Sequence, residues 1–395
     1  MAEKKQLTVL QLLPAMESGG VERGTIEVAQ ALVERGHRAL VMSAGGRQVA
    51  PLVASGAEHF DWPIGEKKLR TLLLVGRLRK FLLEYEVDII HARSRVPAWI
   101  AYLAWRGMNP ATRPRFVTTV HGMYGVNRYS RIMTRGERVI AVSDTVHDYI
   151  LCEYPDTLPW RIQIIHRGVD GTAYPHGWKP DPAWQQAFFA QFSNAAGKLL
   201  VTLPGRITRL KGHEHFIELI ARLKRRGLLV HGLIVGSASS SKQRYLQKLR
   251  YRVRSMGLEA DISFTGQRDD LKNILAISNL VLSLSTQPES FGRTTLEALR
   301  LGVPTAGYDH GGVGEILRTI YPAGLLPLEN IDTVTQSVSA LLQQPSPVPP
   351  GDFFPLRSML SQTLELYEQL AQAPRRQGGL QDTPGQAGAG HPGQN

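Results

Sequence analysis

Cysteine is nearly absent: Cys152 is the single example in 395 residues. One thiol excludes an intramolecular disulfide framework and fits a reducing compartment. Long apolar runs are also missing, and none approaches the ~20 residues that a bilayer-spanning helix needs. The opening "MAEKKQLTVLQLLPAMESGG" has the outline of a signal peptide. Its apolar stretch is short, however, and runs directly into a glycine turn and a helical pattern, so it reads as a first strand. Asp-x-Asp occurs nowhere in the chain, which removes one familiar carboxylate pair for a bridging divalent metal. Zinc-ligand spacing, RNP-like aromatic motifs and a basic-region zipper are missing too. A dedicated nucleic-acid role is therefore set aside. That exclusion matters, because the formal net charge is +12, and a surplus of this size calls for some other polyanionic partner or surface.

The remaining composition is ordinary for a globular protein, with 43% hydrophobic and 20% charged residues. The length suits two domains of roughly 150–200 residues, each with its own core. Short aliphatic runs alternate with helical patterns from the start. "LTVLQLL" (7–13) leads to a helix near 21–35, and "RALVMSA" (38–44) to a helix across 67–85. "VDIIHA" (87–92), a helix near 96–106, "FVTTVHG" (116–122), "RVIAVSD" (138–144) and "IQIIHRGVD" (162–170) complete the first half. The polar, aromatic stretch "GTAYPHGWKPDPAW" (171–184) interrupts the rhythm and reads as a linker. Alternation resumes with "KLLVTLPGR" (198–206), "LLVHGLIVG" (228–236), "DISFTG" (261–266) and "LVLSLS" (280–285). This pattern predicts two α/β domains with parallel sheets, spanning 1–170 and 185–355. A further apolar helix is expected at 356–372, and the Gly/Pro/Gln-rich tail 373–395 is expected to be disordered.

Three loops carry candidate chemistry. "GRITRLKG" (205–212) lies between a strand and a helix. There Arg206 and Lys211 can converge on one anion, the first through a bidentate fork and the second as a point charge. "GSASSSKQRY" begins with Gly236 and offers a small-residue loop after the next strand. "QPESFGRTTLEALRLGVPTAG" (287–307) places Glu289 and Glu297 eight positions apart, around Ser290, Phe291 and Gly292. A helix starting after Gly292 exposes the N–H groups of Gly292, Arg293 and Thr294, a ready anion site. With Arg206 and Lys211, that site suits a diphosphate. Helix capping accounts for one glutamate at most. The other reading gives Glu297 a ribose diol and Glu289 sugar hydroxyls, since carboxylates accept paired hydrogen bonds. The ligand implied is a nucleotide-diphosphate sugar. His213 and His215 lack a third metal ligand nearby and read as helix-start residues.

"GRITRLKG", "FTG", "PESFGRTTLEALRLGVPTAG" and "GGVGEIL" (311–317), in that order, resemble the second domain of the retaining family 4 glycosyltransferases of GT-B fold. "LPAMESGGVERGTIEVAQALVERGH" (13–37), "DIIHAR", "TTVHG" (118–122), "VIAVSD" and "RGVD" (167–170) extend the resemblance over residues 7–372. It implies two Rossmann-like domains facing a central cleft, the donor on the second and the acceptor on the first. It also implies a C-terminal helix that crosses back to the first domain. Glu289 matches the contact to donor-sugar hydroxyls, Glu297 the ribose contact, and Arg206 and Lys211 the pair on the diphosphate, in a loop begun by Gly205. Gly19 and Gly20 match the first-domain loop that closes over the donor, and His121 a histidine beside the reacting sugar. No metal and no other cofactor is implied. Arg167 departs from the family's Asn-Gly-Val-Asp hinge, and the resemblance gives it no catalytic duty.

The positive charge has three candidate outlets. "GEKKLRTLLLVGRLRK" (65–80) spreads its cations around a helix and makes a poor amphipathic anchor. "KQRYLQKLRYRVR" (242–254) puts Leu246, Leu249 and Val253 on one face, as a core-facing helix would. Arg128, Arg131, Arg135 and Arg138 follow His121 on the acceptor side, where an anionic glycan or glycolipid would meet them. A growing lipopolysaccharide core is the first acceptor class expected. Lipid-linked O-antigen or exopolysaccharide intermediates come second, and a nucleotide-sugar epimerase of the same fold is the alternative activity. The expected location is the cytoplasm, with peripheral contact at the cytoplasmic face of the inner membrane.

Overall fold

A computed structural model describes residues 5–17, 19–328 and 330–374. Most of the tail expected to be disordered, 375–395, lies outside the described residues. The first domain holds β1 (Thr8–Leu12), β2 (Arg38–Ser43), β3 (Glu58–Asp61), β4 (Ile89–Ala92), β5 (Arg115–Val120), β6 (Arg138–Ala141) and β7 (Ile162–Ile164). They form one parallel sheet in the order β3-β2-β1-β4-β5-β6-β7. The second domain holds β8 (Leu199–Pro204), β9 (Val230–Val235), β10 (Ile262–Gly266), β11 (Leu280–Ser283), β12 (Thr305–Tyr308) and β13 (Leu325–Leu326). These are ordered β10-β9-β8-β11-β12-β13, again all parallel.

Strands covered on both faces read as continuous apolar runs, and successive side chains enter opposite cores. In β1, Leu10 and Leu12 enter one core with Phe116 and Trp105, while Val9 enters the other with Val28 and Leu32. In β8, Val201 and Leu203 pack with Phe216 and Ile220, whereas Leu200 meets Phe188 on the far face. The aromatic stretch after residue 170 lies against the second domain through Tyr174 and Trp178. A helix from Pro182 to Gln191 continues it.

The chain passes between the domains twice, and the two passages are paired. Val169 N donates to Phe354 O at 3.1 Å, and Leu356 N donates to Val169 O at 3.1 Å. Beyond them the helix Leu356–Gln372 buries Met359, Leu364, Tyr367 and Leu370 in the core of the first domain. One expected helix differs: 67–85 divides into a 3₁₀ segment, Leu69–Leu73, and an α-helix, Leu74–Glu84. Thr71 Oγ1 donates to Glu66 O at 2.9 Å and ties that segment down, leaving its leucines outward.

Candidate active site

In an open parallel sheet, ligands bind past the carboxyl ends of the strands where the strand order reverses. In the first domain that point lies between β1 and β4. The chain leaving β1 reaches Gly19 and Gly20, and the first residue after β4 is Arg93. In the second it lies between β8 and β11. There Gly205, Arg206 and Lys211 follow one strand, and Glu289 to Gly292 follow the other.

The loop from Glu289 is shaped by its glycines. Gly292 sits at φ 92°, a left-handed conformation, and a Cβ there would lie 2.7 Å from Val313. It precedes the helix Arg293–Arg300, whose N-terminus no side chain caps, so its first N–H groups are available to an anion. Gly236 lets its loop close on the Gly205 loop: a Cβ would stand 2.0 Å from Gly205 O. Ser290 is half-buried and Thr294 borders the helix start. The Phe291 ring is buried in the second core against Phe354, so only its backbone can face a ligand.

Glu289 is the centre of the second-domain site. Its Oε1 accepts from Lys211 Nζ at 2.8 Å and from Ser283 Oγ at 3.3 Å, and also from Ser285 Oγ. Burial pushes the carboxyl up, but the Lys211 ammonium and these hydrogen bonds outweigh it and hold it below the usual range. Lys211 is therefore an ion-pair partner of Glu289, a link that spacing alone did not reveal. Arg206 is exposed, and among the described residues it makes no ion pair.

Glu297 is 5% exposed and belongs to a cluster that crosses the cleft. Its Oε1 accepts from Arg23 Nη1 at 3.1 Å and Arg293 Nε at 3.2 Å. Arg293 Nη2 lies 2.6 Å from Glu27 Oε1, and Arg23 Nε 3.4 Å from the same oxygen. Arg23 and Glu27 stand on the first-domain helix Gly20–Glu34. Burial acts to lower the Arg293 pKa, but Glu27 and Glu297 more than reverse it. Sequence reasoning placed Arg293 through its N–H and missed its side chain; the Arg23–Glu27 spacing on one helix face was the available signal.

On the first-domain side, His121 is the first residue beyond β5. Arg167 Nη2 donates to Gly20 O at 2.6 Å and stands 3.5 Å from His121 Nδ1. Burial lowers His121 well below the usual imidazole range, and Arg167 and Arg93 lower it further. The ring is thus neutral at pH 7. With a guanidinium N–H facing Nδ1, the proton belongs on Nε2, a buried atom without a protein partner. His91, by contrast, is satisfied at 2.5 Å from Tyr367 Oη and 2.6 Å from Thr119 Oγ1.

Arg128 is exposed, Arg131 pairs with Asp156 at 3.0 Å, and Arg135 follows a 3₁₀ segment, Ser130–Thr134. Arg138 stacks on exposed Trp160. Lys67 lies over the Tyr129 ring, which joins this basic surface to the 65–73 segment. In that segment Leu69 and Leu73 are 86% and 79% exposed. The basic helix Gln243–Ser255 spends Leu249 and Val253 on the second core, leaving Tyr251 exposed among its basic residues. His213 is buried with Nδ1 3.1 Å from Thr208 O, and burial holds it at about 4. His215 meets Tyr308 Oη at 2.7 Å. Asp144, His166 and Glu315 bring ligand atoms within 4.8 Å of one another. Glu315, however, accepts from Asp144 N at 3.1 Å and Thr145 N at 2.6 Å, capping a first-domain helix from the second domain.

Residues 18–172 match the family described as Glycosyltransferase Family 4, and residues 185–360 match Glycosyl transferases group 1. The chain belongs to glycosyltransferase family 4. Like a solved glycosyltransferase from Rickettsia africae ESF-5, this family 4 enzyme has the GT-B fold; the two share 28% identity and a TM-score of 0.79, over 93% of this chain and 99% of that one. D-inositol 3-phosphate glycosyltransferase of Rhodococcus erythropolis is 28% identical, over 48% of the family 4 chain and 42% of its own length. The match thus spans less than half of that relative. N-acetyl-alpha-D-glucosaminyl L-malate synthase of Bacillus anthracis is 25% identical, over 77% of this transferase and 79% of its own length. Among the described residues, no helix is long and apolar enough to cross a membrane.

Proposed function

We propose that this transferase moves a hexose-type sugar from a nucleotide-diphosphate sugar to an anionic glycan or glycolipid, with retention and without a metal ion. The observation that carries the reading is the Lys211–Glu289 pair beside the uncapped helix after Gly292, at the β8/β11 reversal. A diphosphate at that helix start would have N–H groups and two basic side chains around it. As the anomeric bond breaks, the leaving diphosphate gains negative charge, and preorganised donors of this kind contribute about 3 kcal/mol each to lowering the barrier. Protein cations then do what a divalent metal does elsewhere. Glu289, held ionised by Lys211, orients donor hydroxyls, and Glu297 takes the ribose once Arg23 gives way. His121, neutral and carrying its proton on Nε2, can donate to a hydroxyl of the reacting sugar but cannot act as a cation. Retention without an assigned protein nucleophile favours front-face transfer, in which a diphosphate oxygen takes the acceptor proton.

The acceptor is placed on the first domain. The names of two relatives, D-inositol 3-phosphate glycosyltransferase and N-acetyl-alpha-D-glucosaminyl L-malate synthase, each contain an anionic group, which supports an anionic acceptor here. A lipopolysaccharide core is the first class we assign, and lipid-linked O-antigen or exopolysaccharide intermediates the second. Exposed Leu69 and Leu73, flanked in sequence by exposed Lys67, Lys68 and Arg70, suit an anionic membrane surface. Apolar insertion and charge attraction add there, each near-surface basic residue contributing about 1 kcal/mol. The test is a thermal-stabilisation screen of nucleotide sugars, followed by NMR of the product's anomeric proton. Stabilisation by no nucleotide sugar, or an inverted product, would overturn the proposal.

A further inference from the structure

Among the described residues, two buried arginines in the cleft form no ion pair with a carboxylate. Arg93 is 4% exposed and Arg167 is 9% exposed. Of the carboxylates whose charge reaches them, Glu27 is already engaged with Arg293 and Arg23, and Glu22 acts on Arg167 without an ion pair. Arg93 is partnered by the Tyr367 hydroxyl, yet its Nε is buried with no hydrogen-bond partner, as is Nε2 of His121. Arg167 is anchored on Gly20 O and fills the space beside Gly24, where a Cβ would fall 2.0 Å from its Nη1. Burial, Arg93 and Arg293 lower Arg167 to about 9, while Glu27 and Glu22 oppose the shift.

Taking a guanidinium out of water is costly unless an opposite charge and good hydrogen bonds accompany it. The chain nevertheless places two such groups together, at the carboxyl ends of β4 and beyond β7, with the His121 N–H between the same elements. All three come from the first domain, and Arg93 is the first residue past β4 at its strand reversal. A peptide scaffold needing only packing there has no use for paired cations. We propose that Arg93 and Arg167 bind a phosphate or carboxylate group carried by the acceptor, seating its hydroxyl at the donor beside His121. This inference rests on the transferase reading and adds what distinguishes the acceptor: a charge close to the hydroxyl that is glycosylated. The exposed Arg128, Arg131 and Arg135 would then serve the surface on which the acceptor arrives, not the acceptor's reacting end.

Calorimetry on the full chain tests it, with D-inositol 3-phosphate, inositol and L-malate as probes, each with and without UDP. Wild type should bind the phosphate and carboxylate probes and not neutral inositol. Arg167→Asn and Arg93→Gln should each weaken the anionic probes by roughly 30-fold or more, while UDP affinity stays within about threefold. Arg167→Lys, which keeps a charge, should recover part of the loss, and unaltered UDP binding certifies that the variants are folded. Three results overturn the proposal. They are no preference for phosphorylated over neutral inositol, anion binding that ignores both substitutions, and loss of UDP in place of the probes, which would assign the cations to the donor. A wild type that binds the anions through these arginines but binds no UDP, GDP or ADP would instead sink the transferase reading and leave the anion site standing.

Discussion

Replacing Lys211 by methionine removes an ammonium and little else. The aliphatic stem stays beneath Gly205, whose Cβ position lies 3.5 Å from Lys211 Cδ. Glu289 then loses its 2.8 Å ion pair. Hydrogen bonds to charged groups contribute about 1.5–3 kcal/mol, and protonation of the carboxyl recovers part of this, so a net stability loss of about 1–2 kcal/mol is expected. For domains of this size that lowers Tm by about 2–8 °C. Catalysis should suffer more, because the leaving diphosphate loses a preorganised cation: kcat should fall roughly a hundredfold. The pH dependence has a definite sign. In wild type the Glu289 pKa is held below its unfolded value, so its contribution to stability is present above the unfolded pKa and lost as pH falls through the folded one. In the variant, burial is left as the main influence and raises the carboxyl, which is then neutral already in mild acid. The Tm difference between the two proteins should therefore shrink as pH is lowered from neutral. Scanning fluorimetry across that range and turnover by nucleoside-diphosphate release measure both effects. A variant with wild-type kcat, or a Tm gap that widens in acid, refutes the argument. So does a wild type inactivated by EDTA and restored by Mg2+, which would show that Lys211 does not stand where a metal would.

Glu297→Ala should chiefly weaken binding of a free nucleoside diphosphate, and Glu289→Ala should impair turnover while leaving that binding nearly intact; equal losses in calorimetry would mean the carboxylates are misplaced. Because Arg23 occupies Glu297 from across the cleft, Arg23→Ala should tighten nucleoside diphosphate binding a few-fold, and weakened binding would count against that competition. Leu69→Asp with Leu73→Asp, or charge reversal at Arg128, Arg131 and Arg135, should release the protein from anionic vesicles, whereas reversal at Arg250, Arg252 and Arg254 should not. Co-sedimentation at low and high salt decides, and a wild type that never binds such vesicles removes the membrane reading. Gly292→Ala should cost about 1–3 kcal/mol in unfolding free energy, since it forces a side chain into a left-handed conformation, and an unchanged Tm would show that the loop can rearrange freely.

Much of this architecture was legible because parallel strands buried on both faces announce themselves as aliphatic runs. "VDIIHA" and "LVLSLS" could be read that way without help, and the loops that follow them are where chemistry collects in open sheets. Short or marginal elements were not. β3 is a four-residue edge strand, "EHFD", with no apolar alternation, and the helix expected over 67–85 opens with a 3₁₀ segment held by a side-chain hydrogen bond that no periodicity reports. At the site, residue types and loop positions could be assigned, but partnerships could not. That Lys211 pairs with Glu289, or that Arg23 reaches Glu297 over 274 positions of sequence, is set by how two domains face each other. Arg167 was visible as a departure, yet its place beneath Gly20 and beside Gly24 depends on a contact between the chain after β7 and the first helix that spacing does not encode. Arg93 closes the "DIIHAR" motif without a role of its own there, because an arginine after a buried strand looks like any polar strand end.

The returning helix Leu356–Gln372 has a consequence for how the protein is made. Its Tyr367 hydroxyl satisfies the buried His91, and Met359, Leu364 and Leu370 close a core that began with Leu7 and Val9. Of these two domains, the one synthesised earlier is thus the one completed later. Until the helix Leu356–Gln372 emerges, that domain carries an uncovered apolar face and an unsatisfied imidazole, while the second domain, contained within the sequence between the two crossings, can close by itself. Synthesis would accordingly yield a finished second half waiting on an open first half. Stalled or truncated chains should be chaperone clients through the first-domain sheet, not through the second-domain one.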